Sequence, residues 1–370
     1  MQNLANATVT SSAPLVYEAP VLDMINHELR AGQIALALDT LFDDLAARRA
    51  EEPRNWPAYA SLCRNHPICS VLHQDPFTYR AFSKPRGYAG DAVMMDYIYG
   101  LGEAGRAVRE ATPLGRTIFQ YMDSRPSARG VRYRRQLIAE LIDRVAGQGG
   151  RRVLAIAAGH LRELELSIAV KTGHLEEFVA FDQDEASLAV VDRDYGHLGV
   201  RATQGSVRQI LAGKANPGAY DFVYAAGLFD YLSTPVATAL THRMFDMTRP
   251  GGLMLIPNFQ AEVPDSGYME AFMDWRLIYR ANHDMHALVG DLPQGEIANC
   301  RVFNDCHNAI TYLLVERRGF RHAERPEIIG LKQTGANSGS TRTSRWFSNR
   351  TSIWPVGPRT SRGPCCSQSR

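Results

Sequence analysis

Ile34, Leu38, Leu41 and Leu45 recur at i, i+4, i+7 and i+11, the spacing that lines one side of an α-helix, and Pro53 limits that helix. Tyr133, Leu137, Ile138, Leu141, Ile142 and Val145 form a second stripe, closed by Gly147, Gly149 and Gly150. Between the two, His66 to Gly100 mixes aromatics, Pro85-Arg86-Gly87 and Gly90-Asp91 without one period, and irregular backbone of this kind is where binding groups concentrate. After Gly150 the pattern changes. Four short apolar runs, Val153–Ile156, Phe178–Phe181, Phe222–Ala225 and Leu253–Ile256, lack alternation and read as strands buried on both faces. Val236, Ala239, Leu240, Met244 and Met247 mark a helix between the last two runs, stopped by Pro250-Gly251-Gly252. Val302-Phe303 and Ile310 to Val315, separated by the turn-like Asn304 to Ala309, read as an antiparallel hairpin at a sheet edge. Alternating strands and helices predict an α/β fold, a doubly wound Rossmann-like sheet over 149–320, preceded by an N-terminal helical cap over 15–148.

Composition narrows the class. The chain has 370 residues, 45% hydrophobic and 22% charged, ordinary globular usage that excludes collagen-like and coiled-coil readings. No apolar run approaches the roughly 18 residues of a membrane span, and Met1 to Pro14 lacks the basic start and apolar stretch of a secretory signal. The expectation is a cytoplasmic protein. The net charge of +2 conceals an asymmetry: residues 332–370 hold seven basic residues and no acid, leaving a net charge of −5 on the remainder. A mildly acidic body does not attract phosphate backbones, so nucleic acid is not an expected partner. The basic tail, rich in Ser, Thr, Arg, Gly and Pro, has neither periodicity nor caps; it is expected to be disordered and carries no assigned role. Cys63 and Cys69, and Cys300 and Cys306, are each separated by five residues, wider than usual metal spacings, so reduced thiols and no metal are expected.

In an open parallel sheet, ligands bind beyond the carboxyl ends of the strands. The first strand is followed by Ala157-Ala158-Gly159-His160-Leu161-Arg162-Glu163, small residues that admit a ligand to the backbone and then a predicted helix carrying Leu161, Leu164 and Ile168. The second strand ends at Asp182, placed to accept hydrogen bonds from ribose hydroxyls, with Gln183 beside it. Gly205-Ser206-Val207 and Ala225-Ala226-Gly227 close two further strands. A dinucleotide site needs G-x-G-x-x-G and a phosphate loop needs Gly-Lys-Ser/Thr, and both are missing, so the nucleoside ligand that fits best lacks a pyrophosphate. S-adenosylmethionine meets that description, its ribose at Asp182, its adenine near Gln183, Ser206 and Val207, its methionine end at Gly159 and Ala226.

This order of motifs, with Tyr220-Asp221-Phe222-Val223 and Arg249-Pro250-Gly251-Gly252, resembles the class I S-adenosylmethionine-dependent methyltransferases. More narrowly, DPFTYRAFSKPRGYAGDAVMMDYIYG, AAGHLREL, YAAGLFDYL and GYMEAFMDWRLIYR resemble the bacterial group typified by the enzyme that makes the 3-hydroxypalmitic acid methyl ester signal. The resemblance spans about His66 to Gly319. It departs at the first motif, where the superfamily has an acid and three alternate glycines and this chain has Ala155, Ala157, Gly159 and Leu161. Glu163 is the expected substitute partner for the ligand's ammonium, and His160 is a further candidate contact.

The resemblance implies methyl transfer, with a small apolar or 3-hydroxy fatty acid as the acceptor and its carboxylate oxygen as the target. An ionised carboxylate needs no general base; the enzyme must align the reactants and exclude water. The acceptor side is expected from Arg86, Tyr88, Asp91 and Tyr97 together with Phe229, Tyr231, Tyr268, Trp275 and Tyr279. Arg86 and Arg280 are the preferred grips on a carboxylate, Tyr88 and Asp91 are expected to close over the cofactor, and Met94, Met95, Met269 and Met273 suit an acyl channel. Two other readings stand beside this one: a cyclase that consumes the cofactor and releases methylthioadenosine, and a non-catalytic nucleoside-binding regulator.

Overall fold

The computed structural model describes residues 19–215 and 218–319. The tail expected to be disordered lies outside the described residues. Helices come first: α1 (Pro20–Arg30), α2 (Ile34–Glu51), α3 (Trp56–Asn65), α4 (Ile68–Leu72), α5 (Pro76–Ser83), α6 (Ala92–Tyr99), α7 (Gly102–Glu110), α8 (Pro113–Ser124) and α9 (Pro126–Gly147). The stripe read at 34–45 is the buried face of α2, with Leu38, Leu41 and Leu45 each at most 1% exposed. Asp75 and Asp91 start α5 and α6 by accepting hydrogen bonds from the amides two and three residues on.

Strands and helices then alternate: β1 (Arg152–Ile156), α10 (Ile168–Lys171), β2 (Glu177–Asp182), α11 (Glu185–Tyr195), β3 (Val200–Gln204), α12 (Val207–Leu211), β4 (Tyr220–Tyr224), α13 (Thr234–Asp246) and β5 (Thr248–Phe259). Helices α14 (Ser266–Phe272) and α15 (Asn282–Ala287) precede the terminal pair β6 (Ile297–Asn304) and β7 (Ile310–Arg317). The sheet order is β3-β2-β1-β4-β5-β7-β6. The first five strands are parallel, while β7 runs antiparallel to both β5 and β6. This is the doubly wound, Rossmann-like sheet with helices on both faces expected from the sequence. Strand order reverses between β1 and β4, with Val153 paired to Phe178 on one side and Phe222 on the other. The predicted hairpin is present, and its second strand β7 lies inside the sheet with β6 at the edge.

Successive strand residues feed two cores. Val153, Ala155, Phe178, Phe222 and Leu255 pack with the helices that precede the sheet; Leu154, Ile156, Val179, Val223 and Met254 pack with α13 and α15. Both faces are covered, which is why the strand runs do not alternate.

Three local expectations change. The face that α13 buries is Ala237, Leu240, Thr241, Met244 and Phe245, rotated from the predicted stripe, with Ala239 exposed. In α9 the predicted stripe is buried at Leu137, Ile138, Leu141, Ile142 and Val145, but Tyr133 is only half-buried and Arg134 takes a core position beside Val131. The helix predicted after β1 is broken: Arg162–Glu165 forms one 3₁₀ turn and α10 begins at Ile168. Asp143 of α9 causes the break by accepting from the Ser167 hydroxyl and the amides of Ile168 and Ala169, which caps a new helix start there.

Candidate functional site

A cavity of about 400 Å³ opens at the carboxyl ends of β1, β2 and β4, walled on the other side by α6 and α9. That volume lies within the ~300–1,000 Å³ typical of small-molecule sites. Its floor is the segment after β1. Ala157, Gly159 and Leu161 have φ of 51°, 57° and 56°, three alternate residues in the left-handed region. The chain thus keeps a glycine-type backbone at two positions that hold Ala and Leu, each costing about 1–2 kcal/mol. The amide of Gly159 donates to Asp182 Oδ2 at 2.8 Å, and that of Asp184 to Asp182 Oδ1 at 2.8 Å. Asp182 therefore pins the floor to the end of β2 while lining the cavity; burial raises its carboxyl above the ordinary range and the two amides oppose that rise.

A side-chain network hardens this floor. Asp96 of α6 accepts from Arg162 Nε at 2.7 Å and Nη2 at 3.0 Å, and pairs with His160 Nδ1 at 2.8 Å. Burial would raise Asp96, but the hydrogen bonds from His160 and Arg162 outweigh it and hold the carboxyl below its usual value. Arg86 Nη1 lies 3.4 Å from His160 Nε2 and can only donate, which assigns the imidazole proton to Nδ1. Glu163 is buried against the Tyr224 hydroxyl, which donates to its Oε1 at 2.6 Å, and desolvation raises its carboxyl.

Ten of the expected cofactor-side residues line the cavity: Ala157, Gly159, His160, Glu163, Asp182, Gln183, Ser206, Val207, Ala226 and Gly227. The Ser206 hydroxyl also caps α12, accepting from the Gln209 amide at 3.4 Å. Ala225 and Phe229 are placed elsewhere, fully buried in the core beside α13.

The acceptor-side expectation divides. Tyr88, Tyr231 and Trp275 line the cavity, with Trp275 Nε1 donating to the Tyr231 hydroxyl at 2.8 Å. Gly90 makes that corner possible, since a Cβ there would meet Tyr231 Oη at 2.1 Å. The other residues are engaged in structure. Arg86 is paired with Asp184 at 2.9 Å and bonded to the Ser187 hydroxyl. Asp91 caps α6 and pairs with Arg80 at 2.6 Å rather than closing over a ligand. Tyr97 packs against Phe77 and Phe119, Tyr268 stacks on Phe42 with ring centres 5.0 Å apart, and Tyr279 lies beneath Arg49. Arg280 is 2% exposed and spends its guanidinium on the carbonyls of Phe229 and Leu232 and the Asn258 amide oxygen. Of the four expected channel methionines, Met95 reaches the cavity, whereas Met94, Met269 and Met273 are core.

The sequence reading missed Tyr99, Arg134, Arg135, Arg162 and Asp230, all of which line the cavity. Arg134 carried a signal: its spacing from Val131 and Ile138 puts a cation on the buried face of α9. Asp230 is buried, accepts from the Phe259 amide at 2.6 Å, and is pushed up to about 6 by that burial.

No protein-family model matches the chain, and no curated protein matches it in sequence. Solved structures do resemble it. A possible exported protein from Bordetella parapertussis superposes with a TM-score of 0.51 at 14% identity, covering 74% of this chain and 97% of its own. The S-adenosylmethionine-dependent methyltransferase SibL gives 0.42 at 15% identity over 65% of this chain and 74% of its own. Magnesium protoporphyrin IX methyltransferase from Synechocystis, solved with bound S-adenosylmethionine, gives 0.36 at 12% identity over 52% and 84%. At these identities the likeness concerns the fold.

Proposed function

We propose that the protein is an S-adenosylmethionine-dependent methyltransferase acting on an oxygen of a small, largely apolar carboxylic acid. The observation that carries the donor assignment is Asp182: an acid at the end of β2, beside the point where strand order reverses, lines the cavity and holds the Gly159 loop against it. Asp182 would take the ribose hydroxyls, Gln183, Ser206 and Val207 would border the adenine, and the left-handed floor from Ala157 to Leu161 would receive the chain beyond the ribose. S-adenosylmethionine supplies a methyl group made electrophilic by its sulfonium.

The remaining task for this chain is alignment and exclusion of water. Tyr88, Tyr231, Trp275, Phe259 and Leu277 form an aromatic and apolar wall suited to it. Rings facing a sulfonium also contribute about 0.5–2 kcal/mol of cation–π attraction. The acid acceptor rests on the resemblance of the His66–Gly319 motifs and on this wall. Arg86 and Arg280, the expected grips on a carboxylate, are consumed by the fold, so neither supports the acid acceptor.

The test is mass spectrometry of the purified protein incubated with S-adenosylmethionine and a panel of 3-hydroxy and plain fatty acids. The expected result is S-adenosylhomocysteine together with a gain of one methyl on an acid. Methylthioadenosine as the product replaces methyl transfer with cofactor cyclisation, and binding without either product leaves a ligand-binding regulator.

A further inference from the structure

Among the described residues, three buried carboxylates line the cavity, each in a different place. Asp182 ends β2 with both oxygens held by amides, and Glu163 lies on the floor after β1 against the Tyr224 hydroxyl. Asp230 sits in the 3₁₀ turn Phe229–Tyr231 that follows β4. It is 3% exposed, and its Oδ1 accepts from the Phe259 amide, at the end of β5, at 2.6 Å. Among the described residues Oδ2 has no donor and the carboxylate no ion-pair partner, and Oδ2 is open to the cavity that the residue lines. The turn that carries it is fixed: Arg280 donates to the carbonyls of Phe229 and Leu232, and the Ile278 amide donates to the carbonyl of Asp230 at 2.7 Å.

That place is the acceptor wall. β5 lies three strand spacings, of about 4.8 Å each, across the sheet from β2, where Asp182 is assigned to the ribose. Asp230 is bonded to Phe259 and adjoins Tyr231, which holds Trp275, so it belongs to the aromatic and apolar wall. The two arginines expected to grip an acceptor carboxylate are spent on other partners, and the charged side chain that this wall does present is an acid. A second carboxylate placed against it would bring two like charges into an apolar corner, whereas a hydroxyl brings a proton for Oδ2. The charged and titratable groups around Asp230 are Arg134 of α9, Arg280 and Tyr279 from the segment after α14, and Tyr231 of its own turn. Burial raises its carboxyl to about 6 against the opposing pull of the Phe259 amide, Arg134 and Arg280, which leaves a base that is ionised at neutral pH and matched to proton transfer there.

We propose that Asp230 is the general base of the methyl transfer and that the attacking oxygen of the acceptor is a hydroxyl. The hydroxyl oxygen bonds to the methyl carbon as the carbon–sulfur bond breaks. The bonding pair passes to sulfur, giving S-adenosylhomocysteine, and the hydroxyl proton passes to Asp230 Oδ2, from which water removes it after release. The product is a methyl ether, and an acid acceptor reacts at a hydroxyl that it carries. The assignment rests on the methyltransferase reading above and specifies which oxygen of the acceptor reacts.

The test uses the full chain with S-adenosylmethionine and three probes of one chain length: a 3-hydroxy fatty acid, the plain fatty acid and the plain alcohol. The expected product comes from a probe with a hydroxyl and survives mild alkaline hydrolysis, as an ether does and an ester does not. Asp230→Asn keeps an oxygen for the Phe259 amide. It is expected to lower kcat by about 10²–10⁴-fold, to remove the rise of kcat through about pH 6, and to bind S-adenosylhomocysteine within about twofold of wild type by calorimetry. An alkali-labile methyl ester overturns the assignment, and so does an Asp230→Asn variant with the wild-type kcat or pH profile. Weakened S-adenosylhomocysteine binding in that variant overturns it in favour of a cofactor contact. Wild-type protein that binds S-adenosylhomocysteine yet methylates none of the three probes overturns it as well. If the wild type does not bind S-adenosylhomocysteine, the cofactor reading itself falls, and this assignment with it.

Discussion

Ala157 and Leu161 hold left-handed backbone without being glycine, and a site that stores strain in this way lets the two effects of a substitution be predicted separately. Ala157→Gly removes a strain of about 1–2 kcal/mol and adds about 0.5–1 kcal/mol of unfolded-state entropy. The expected outcome is a small gain in stability in urea unfolding; a loss would show that the surroundings favour the alanine conformation. Leu161→Gly is expected to lose stability instead, because that side chain is 1% exposed and forfeits its packing. Glu163→Ala should weaken S-adenosylmethionine binding, and unchanged affinity by calorimetry would remove Glu163 from the site. Asp230 gives a pH signature. Its carboxyl, raised by burial to about 6, binds a proton more tightly folded than unfolded, so its contribution to stability is present below the ordinary carboxylate pKa and is lost as pH rises towards 6. Urea midpoints measured from pH 4 to 7 should decline less in Asp230→Asn than in wild type.

At the scale of elements, periodicity located helices and strands but not the interruptions imposed by side chains from elsewhere. The stripe of α2 was legible because one continuous core covers it, and Leu41→Ala is expected to cost about 2–5 kcal/mol in thermal or urea unfolding. The helix read after β1 failed because Leu164 and Ile168 keep helical spacing while Asp143, some 25 residues earlier, captures the amides of Ile168 and Ala169. The loop before α6 depends on close approach: at Gly90 an alanine methyl would collide with Tyr231 and Trp275. Gly90→Ala is expected to disturb the aromatic corner, raising the acceptor's KM with a smaller effect on S-adenosylhomocysteine affinity.

Across the whole molecule, the sheet brings together residues that the chain spreads from Tyr88 to Leu277, and its strand reversal opens the space between them. The helices before the sheet close that space, α6 contributing Asp96 to the floor and α9 contributing Arg134 to its charge. Among the described residues, no helix is long and apolar enough to cross a membrane.

The sequence by itself determined the alternation of strands and helices, the two-sided burial of the strands, and the small and acidic residues at their carboxyl ends, because these are local patterns set by period, size and charge. Asp182, Gly159 and their neighbours were legible for that reason. Only the tertiary structure decided which polar side chains remain available to a ligand. Arg86, Asp91 and Arg280 read as ligand groups by residue type, yet each is consumed by a partner distant in the chain or by a helix start; Arg134 read as part of a helix and lines the cavity, forming no ion pair among the described residues. Availability depends on which opposite charges and carbonyls come within hydrogen-bond reach, and that is a property of long-range contacts that residue order alone does not carry.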